Sequence, residues 1–514
     1  MSLDWCTTGA LVVLAAWLLW KYLSWNYSYW QTLGVPCPVP SVPFGNMKDA
    51  ILGKKHVSEA VRDIYCQMEG VPFCGFYRFR EPMLLVRDAD LVRTMLVRDF
   101  PSFHDNNVQT NEDVDPIFAR NPFVLKGEKW RKLRSQLSPS FTASRLKPMF
   151  LLMKEVCDDL VRTLQKEGAS AGKDGMEARE VCLRYMTDVV ASCALGIKGD
   201  ALEDPKAQML QLFRKLFQPG FVTFLKFMFI TTFPSLAIML RLRLMPEDLE
   251  KFLKTVVTQT VARRQHEGVY RNDYLQMLVE LKTKGYLDGA GQVLADRSFF
   301  TDVDIAAQVM TFMTDGIHTS ATAMSFTLYQ LALNPDIQQR LRQELREAVG
   351  RHGGQLGYDA IHDCTYLDMV VSETLRVHPP AGTLEKTCTA AYPLTTASGR
   401  PFTLQTGSLL VVSILGLHLD PLYFPHPERF DPERFSPDNK DRTALKAYMP
   451  FGLGPRSCIG QRFALSQVKM GVAAVVLNLD VSRTPRTSDP IEMDPKFILN
   501  NSKDGLWLSF KPLA

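Results

Sequence analysis

The ten residues FGLGPRSCIG, Phe451–Gly460, are the most specific indicator of the fold of this chain, because they place one cysteine among turn-forming residues. Glycines lie on both sides of Cys458, and they let backbone N–H groups approach a sulfur atom and stabilise its negative charge. Arg456 would face an anionic ligand on the same side, and a helix predicted over Phe463–Met470 would favour negative sulfur through its N-terminal dipole. The pattern favours a metal-bound thiolate, although a catalytic thiol with a distant histidine base stays open.

The spacing of this stretch, F-x-x-G-x-R-x-C-x-G, resembles the haem-thiolate loop of the cytochrome P450 family. The matching residues are Phe451, Gly454, Arg456, Cys458 and Gly460. The resemblance implies that the Cys458 thiolate is the axial ligand of haem b, and that the other four residues shape the cofactor site. Five fixed positions within ten residues make a chance match rare, and further motifs occur in the order that the family has them.

Two of these motifs imply a charge cluster that supports the cysteine loop. ETLR contains Glu373 and Arg376 and resembles the family's ExxR helix, although an i,i+3 ion pair alone is common on any helix face. PERF, Pro432–Phe435, resembles the segment whose arginine joins that pair. The resemblance therefore implies a buried triad of Glu373, Arg376 and Arg434. An earlier PERF copy, Pro427–Phe430, fits the order of the motifs less well.

Four more residues are candidates for contacts with the haem propionates. WRKLR resembles the family's W-x-x-x-R helix, in which Trp130 and Arg134 share a helix face and reach one carboxylate. The family's L-x-R after the ExxR helix is LEK here, so Lys386 offers one charged contact without the planar fork of arginine. His418, in GLHLDP, matches a position that the family often uses near the propionates.

A long buried helix predicted over Asp302–Leu333 carries the main departure from the family. The family's central helix usually has [AG]-G-x-[DE]-T-[ST], and this chain has DGIHTS. Gly316 and Thr319 match this pattern, and the resemblance implies that they make room for dioxygen and hydrogen-bond it or a neighbouring water. Asp315 replaces a small residue, and His318 replaces the acid.

Three interpretations of His318 stay open. It is a satisfied helix histidine that points away from the haem, or it donates protons, since an unperturbed pKa of about 6.5 suits that task. Alternatively, oxygen activation is weakened and the protein acts as a peroxide isomerase or a ligand sequestrant. Asp315 has two open roles, as a proton relay and as a contact for a polar group of the substrate.

The resemblance implies a monooxygenase that inserts one atom of O2 into a lipophilic small molecule, with electrons from NADPH. The expected donor is NADPH–cytochrome P450 reductase, with cytochrome b5 as a second donor. Candidate substrates are xenobiotics and endogenous lipids, steroids or terpenoids, because apolar residues dominate several segments that match the lining of family pockets. The sequence looks like the arthropod detoxification enzymes related to vertebrate family 3.

Helical patterns dominate from Ser58 onward, and short alternating runs such as Phe73–Arg80 and Leu84–Arg87 predict a small sheet. The sequence therefore predicts a mainly α-helical protein with a small β portion and a membrane anchor at its N-terminus. The chain has 514 residues, 46% of them hydrophobic, and a net charge of +4, which argues against a nucleic-acid partner. Trp5–Trp20 carries no charge and predicts a transmembrane helix within residues 1–25; a cleaved signal peptide is the alternative. Residues 26–45 are proline-rich and predict a semi-rigid linker, and residues 46–514 are the expected haem-thiolate catalytic domain.

The anchor and the resemblance together imply the endoplasmic reticulum membrane, with the catalytic domain on the cytosolic side. Lys21, after the apolar run, agrees with that orientation. A second apolar stretch, Phe221–Leu240, contains a lysine and a proline and predicts a patch that dips into the membrane. A second span and an ordinary core segment stay open for this stretch.

Overall fold

The computed structural model describes residues 5–217, 225–226, 229–230, 232–284, 286–287, 293–294, 300–439 and 442–513. The chain forms two compact units. The sheet unit comprises Met1–Asn107, Ala381–Pro427 and Arg442–Ser457, and the helical unit comprises Val108–Pro380, Glu428–Asp441 and Cys458–Ala514. The predicted fold class, mainly α with a small β portion, is confirmed.

A five-stranded sheet organises the sheet unit. Its strands lie in the order Phe73–Arg78, Glu81–Val86, Leu409–Ser413, Thr383–Thr387 and Asp105–Asn106. Only the second and third strands are parallel to each other. The register places Asn106 opposite Lys386, and Lys386 opposite Leu410. Lys386 therefore lies inside the sheet, between the strand Leu409–Ser413 and the edge strand Asp105–Asn106.

The sheet unit also contains seven described α-helices. The α-helices of the sheet unit are Trp5–Ser24, Tyr29–Leu33, Lys48–Ile51, Val57–Gln67, Ala89–Arg93, Ile414–His418 and Arg442–Ala447. A π-helical turn, Thr94–Arg98, follows the fifth of them, and a two-stranded ladder joins Tyr392–Thr395 to Pro401–Leu404. Val, Leu and Phe side chains on both faces of the central strands form the buried core of the unit.

The first hairpin differs slightly from the sequence prediction, which had strands at Phe73–Arg80 and Leu84–Arg87. The first strand ends at Arg78 because Phe79 adopts a φ of 53°, which turns the chain. The second strand begins earlier, at Glu81, because Glu81 pairs with Arg78 across the turn.

The predicted anchor is a helix, Trp5–Ser24. By length and composition, Thr7–Ser24 is able to cross a membrane: its mean hydropathy is 1.3, and none of it is buried in the rest of the protein. Trp17 and Trp20 are exposed, as suits a side chain that meets lipid.

The proline-rich segment after the anchor packs against the sheet unit. Trp30 and Val35 are buried, and the Gly45 backbone bridges to Arg78. A Cβ atom at Gly75 would lie 2.2 Å from the Trp30 ring, so glycine is required there. Packing as well as proline therefore restricts the backbone of residues 26–45. The boundaries of the anchor, the linker and the catalytic domain stay predictions.

Thirteen α-helices and small strand pairs are described in the helical unit. The helices are Gly127–Leu137, Ala143–Leu146, Met149–Ser170, Ala178–Val190, Gln208–Phe217, Pro234–Met239, Glu247–Glu267, Tyr274–Lys284, Asp302–Leu333, Pro335–Arg351, Tyr358–His362, Thr365–Val377 and Gln461–Asn478. The strands are Met176–Glu177, Tyr286–Leu287, Val293–Leu294, Leu479–Arg483 and Trp507–Pro512. Trp507–Pro512 pairs with both Leu479–Arg483 and Met176–Glu177.

Asp302–Leu333, the central helix, has the bounds that the sequence predicts. Thr301 and Asp304 form a capping box that starts it: the Thr301 hydroxyl accepts the Asp304 N–H, and the Asp304 carboxylate accepts the Thr301 N–H. The helix is apolar nearly all round, and most of its side chains are buried. An α-helix that is apolar on all faces is buried on every side, so the central helix forms the core of the unit.

Three smaller predictions have mixed outcomes. Pro335 begins its helix as predicted, but the Asn334 side chain donates to the Gln330 carbonyl at 2.8 Å instead of capping that helix. The helix after the cysteine spans Gln461–Asn478 and is longer than predicted. Part of Phe221–Leu240 lies outside the described residues, and the described part includes the short helix Pro234–Met239.

Candidate active site

The sheet unit contributes the first part of the cysteine loop, where glycine is required by geometry. Gly454 has a φ of 72°, and a Cβ atom there would lie 2.0 Å from the Leu96 carbonyl oxygen. Gly452 has the same φ but no atom closer than 3.9 Å to such a Cβ. Phe451 is half-buried at the start of the loop. The loop is therefore pinned against the π-helical turn at one position.

Arg456 and Lys386 bring two positive charges to the edge strand Asp105–Asn106 of the sheet unit. The Arg456 guanidinium donates to the His104 carbonyl at 2.6 Å and to Asp105 Oδ1 at 3.2 Å. Lys386 Nζ donates to Asn106 Oδ1 at 2.5 Å. Burial, with the charge of Arg456, lowers the pKa of Lys386 to about 7. Two cations near one carboxylate leave this edge with room for an additional anion.

His418 supports the backbone that leads into the loop. It is fully buried, its Nε2 accepts the Met449 N–H at 2.9 Å, and its ring stacks on Tyr448. The hydrogen bond makes Nε2 an acceptor, so a neutral His418 carries its proton on Nδ1. The contact with a propionate stays a prediction.

In the helical unit, Cys458 precedes the helix Gln461–Asn478, and the Gly460 N–H donates to its sulfur. The side chain is solvent-accessible, yet burial raises the pKa of the Cys458 thiol to about 11. Because the Cys458 sulfur is solvent-accessible and also has many protein atoms around it, it lies in the wall of a recess. Asp315 contributes to the raised pKa, and Arg134 opposes it, so both charges lie near the sulfur.

Trp130 and Arg134 lie one turn apart on the helix Gly127–Leu137, as predicted. Trp130 is buried and Arg134 is half-buried. Burial lowers the pKa of Arg134, opposed only by the charge of Cys458, and no described carboxylate forms an ion pair with it. A half-buried guanidinium without an acidic partner is suited to bind one from a ligand.

The charge triad is assembled within the helical unit. The Arg376 guanidinium donates to both oxygens of Glu373, at 2.7 and 2.8 Å, and Arg434 Nε lies 3.3 Å from Glu373 Oε1. The Asp431 N–H donates to the same carboxylate, and Arg376 also donates to the Arg429 carbonyl. Burial raises the pKa of Glu373, against the two guanidinium groups that lower it. The second PERF copy therefore supplies the ion pair, and the first supplies a carbonyl.

His318 points away from the recess. It is fully buried; its Nδ1 lies 3.3 Å from Arg179 Nη2 and its Nε2 lies 3.2 Å from the Phe213 carbonyl oxygen. Since guanidinium only donates and a carbonyl only accepts, Nδ1 accepts and Nε2 carries the proton. Burial and the Arg179 charge hold the pKa of His318 well below its usual range. The geometry favours the satisfied helix histidine over the proton donor.

Asp315 and Thr319 lie one turn apart on the central helix, and neither is buried like His318. The Thr319 hydroxyl donates to the Asp315 main-chain carbonyl at 2.5 Å, and the Thr314 hydroxyl donates to the Asp315 carboxylate at 3.0 Å. Burial among surrounding protein raises the pKa of Asp315 to about 6, against hydrogen bonds from Thr314 and Asn121 that lower it. The acid of this turn thus faces the recess from position 315.

Gly316 leaves space on the central helix. A Cβ atom there would meet only a methyl group of Val190, at 3.7 Å. The Gly316 carbonyl accepts a hydrogen bond from the Gln467 side chain at 2.9 Å, and Gln467 also donates to Ser320. Gln467 belongs to the helix that follows Cys458, so it ties that helix to the central helix one turn from Asp315.

The sequence did not point to Arg179, Asn121 or Gln467. All three are buried polar residues that hold the central helix or its carboxylate, and each lies far from DGIHTS along the chain. Spacing within one helix carries no information on such partners. No local pattern marks Arg179, because its helix, Ala178–Val190, also carries Glu180, Arg184 and Asp188.

The residues of the helical unit around Cys458 fit a haem with a single thiolate ligand. A thiol with a pKa of about 11 is protonated at neutral pH, so its thiolate needs a cation such as iron to form. The Gly460 N–H is placed to stabilise that sulfur. Arg134 offers positive charge for a carboxylate of the ligand. Within the sheet unit, taken by itself, Lys386 and Arg456 also offer positive charge to an anion.

Comparison with known proteins agrees with this fit. The cytochrome P450 family model matches residues 35–508. Cytochrome P450 6j1 of Blattella germanica is 36% identical over 482 residues, which cover 93% of this chain and 92% of that protein. Probable cytochrome P450 6a13 of Drosophila melanogaster is 36% identical over 99% of both chains. Cytochrome P450 9e2 of Blattella germanica is 33% identical, again over 99% of both.

Proposed function

Because this chain belongs to the cytochrome P450 family, we propose that Cys458 is the thiolate ligand of its haem and that the recess in front of Cys458 is where substrate is oxygenated. The family is one of haem-thiolate monooxygenases, so the chain is a P450 monooxygenase, an oxidoreductase that uses O2 and electrons from a redox partner. The observation that carries the assignment of the ligand is the solvent-accessible, protein-surrounded sulfur with its Gly460 N–H donor.

Each residue then has a role that follows from its contacts. Haem with a thiolate ligand supplies the activation of dioxygen. In the helical unit, Arg134 and Trp130 bind the cofactor, and Glu373, Arg376 and Arg434 hold the backbone at Arg429 and Asp431. In the sheet unit, Lys386 and Arg456 have the cofactor-binding role that the family resemblance implies. Thr319 donates to a backbone carbonyl at rest, and its hydroxyl lies on the helix face of Asp315, where it is placed to hold a proton or a water. Gly316 keeps that face open.

The substrate is a lipophilic small molecule, xenobiotic or endogenous, and the electrons come from NADPH through NADPH–cytochrome P450 reductase, with cytochrome b5 as a second donor. An acidic partner of this kind needs a basic surface. Lys132 and Arg462 in the helical unit and Lys446 in the sheet unit are exposed candidates. Lys446 pairs with Asp90.

The protein acts at the endoplasmic reticulum membrane, with its catalytic domain on the cytosolic side. The exposed apolar helix Thr7–Ser24 is the anchor. A second contact comes from the end of Phe221–Leu240, where Phe233, Leu236, Met239 and Leu240 are exposed on or beside the short helix Pro234–Met239.

The alternative function is a peroxide isomerase or ligand sequestrant, and DGIHTS is the feature that favours it. The two functions separate when the full chain is reconstituted with the reductase and a fatty acid, a steroid and a monoterpene under ¹⁸O2. A monooxygenase gives product with one ¹⁸O atom that requires NADPH. Product that forms only from an organic hydroperoxide, without NADPH, would contradict the monooxygenase and favour the alternative.

A further inference from the structure

Asp315 is a solvent-accessible carboxylate of the central helix, and the described residues give it no cationic partner. The Thr314 hydroxyl and the Asn121 side chain are its hydrogen-bond donors. Asn121 Oδ1 already accepts the Phe123 N–H at 2.7 Å, so the amide nitrogen of Asn121 is the group that faces Asp315. Both donors are neutral, and no described Lys, Arg or His forms an ion pair with this carboxylate.

The charged groups nearest in the fold are engaged elsewhere. Arg120, next to Asn121, pairs with Glu112 at 3.1 Å and with Asp304 at 3.1 Å. Arg179 donates to His318, and His318 is turned away from the recess. The remaining charges that face the recess in the helical unit are Arg134, which forms no ion pair with Asp315, and the Cys458 sulfur, whose negative charge repels that of Asp315. The compensating charge has to come from outside the chain.

We propose that Asp315 recognises the positively charged group of a lipophilic amine, which gives the oxygenation site a preference for cationic over neutral substrates. A carboxylate that opens to a recess and has only neutral hydrogen-bond donors from the protein is stabilised by a cation whose apolar body displaces water from the recess. The inference rests on the proposed function, because it places the amine in the recess in front of Cys458.

The other role for this carboxylate, a proton relay, has less support in the contacts. The Thr319 hydroxyl donates to the Asp315 main-chain carbonyl and not to its carboxylate. The carboxylate of Asp315 is therefore not joined to the hydroxyl that the relay would need. Its open side is turned to the recess, where a ligand reaches it.

The preference also depends on pH in a defined direction. Burial raises the pKa of Asp315 to about 6, so the carboxylate is ionised above that pH and neutral below it. A permanently charged ligand cannot change its own charge with pH. Its affinity should therefore increase as the pH rises from 5 to 7, and a variant without the carboxylate should not show the increase.

The test uses the haem-loaded full chain and two ligands of one shape, N,N,N-trimethyl-4-phenylbutylammonium and its neutral isostere 5,5-dimethylhexylbenzene. A quaternary nitrogen has no lone pair, so it cannot bind iron itself. The Kd of each ligand is measured by equilibrium dialysis for the natural protein and for Asp315→Asn, which keeps the side-chain shape. The expected result is a rise of about tenfold or more in the Kd of the cation and less than about twofold for the isostere.

Every other result contradicts the proposal. The same Kd for the cation in both proteins, an equal loss for both ligands, or no binding of the cation to the natural protein would each overturn it. Unchanged cation binding with more peroxide released during turnover of the isostere would assign Asp315 to proton transfer instead. The reduced carbon-monoxide spectrum of each sample distinguishes a failure of this proposal from a failure of the proposed function. If the natural protein lacks the red-shifted band of a thiolate-bound haem, the proposed function itself has failed.

Discussion

Two carboxylates of the helical unit, the buried Glu373 and the solvent-accessible Asp315, have opposite surroundings. Glu373 accepts hydrogen bonds from Arg376 and the Asp431 N–H, and Arg434 lies at 3.3 Å. Asp315 accepts from a hydroxyl and an amide. Burial raises both pKa values, but only Glu373 has positive charge from the chain to oppose it. A compensated charge belongs to the scaffold, whereas an uncompensated one is available to a ligand.

The largest expected effect comes from breaking the compensated site. Glu373→Gln leaves two buried guanidinium groups without their anion, which should lower the free energy of unfolding by about 3–5 kcal/mol. Urea unfolding of the full chain in detergent measures the change. Glu433→Gln is the matched control, because Glu433 is half exposed and pairs with Arg340 on the surface. Equal losses in the two variants would show that the triad is not a structural element.

His318 gives the next effect, because both of its hydrogen-bond partners are buried inside the protein. His318→Leu should lower the free energy of unfolding by about 2–3 kcal/mol, since the Phe213 carbonyl and the Arg179 guanidinium both lose a partner. His318→Asn, whose amide can accept and donate, should recover part of the loss. Unfolding of both variants at pH 8 checks this, and a histidine that donates protons to the recess would instead leave stability unchanged and slow turnover.

The same residue predicts a pH effect with a fixed sign. The folded-state pKa of His318 lies well below the unfolded value, so the unfolded chain binds a proton that the folded chain does not. The stability that neutral His318 contributes is present above pH 6.5 and is lost as the pH falls, by up to about 1.4 kcal/mol per pH unit. His318→Asn should show a shallower loss between pH 6.5 and 5. Parallel curves for the two proteins would mean that His318 is protonated in the folded state.

Asp315 should behave in the opposite way to Glu373. Its folded-state pKa is raised, so its ionisation costs stability as the pH rises from about 4 through 6. Asp315→Asn should therefore stabilise the protein at pH 7, by about 1–2 kcal/mol once the solvent that reaches the carboxylate is allowed for. The gain should vanish near pH 4. Destabilisation at pH 7 comparable to that of Glu373→Gln would remove the contrast between the two carboxylates.

Lys386 extends the comparison to the sheet unit and has the smallest effect. It is buried with one neutral partner, Asn106, beside the like charge of Arg456. If a haem propionate supplies the missing charge, Lys386→Gln should speed haem transfer to an acceptor protein by about tenfold. Lys446→Gln, on an exposed ion pair, is the control. The difference between the natural protein and Lys386→Gln should shrink at high pH as the amine loses its proton, and equal rates throughout would exclude the contact.

The sequence predicted the charge triad and the cysteine loop better than it predicted the orientation of the DGIHTS turn. Glu373 and Arg376 are three residues apart on one helix, so their contact follows from helix geometry, and the PERF motif supplied Arg434. The cysteine loop and the central helix were predicted with nearly the correct bounds for the same reason: local spacing determines them.

The orientation of DGIHTS could not be predicted from spacing. His318 and Asp315 lie on the same helix, and which of them faces the recess depends on Arg179, Phe213 and Asn121, residues that only the fold brings near. The proposed membrane patch at Phe221–Leu240 was ambiguous for a related reason. Its apolar residues are equally suited to a core, and exposure of Met239, at 71%, is a tertiary property.

The central claim, that Cys458 holds the haem as a thiolate, has one direct test. The carbon-monoxide difference spectrum of the reduced full chain should show a strongly red-shifted Soret band, and this band should be absent from Cys458→Ala. Cys66→Ala, which removes another exposed thiol, should retain it. A red-shifted band that persists in Cys458→Ala, or its absence from the well-folded natural protein, would contradict the assignment of Cys458.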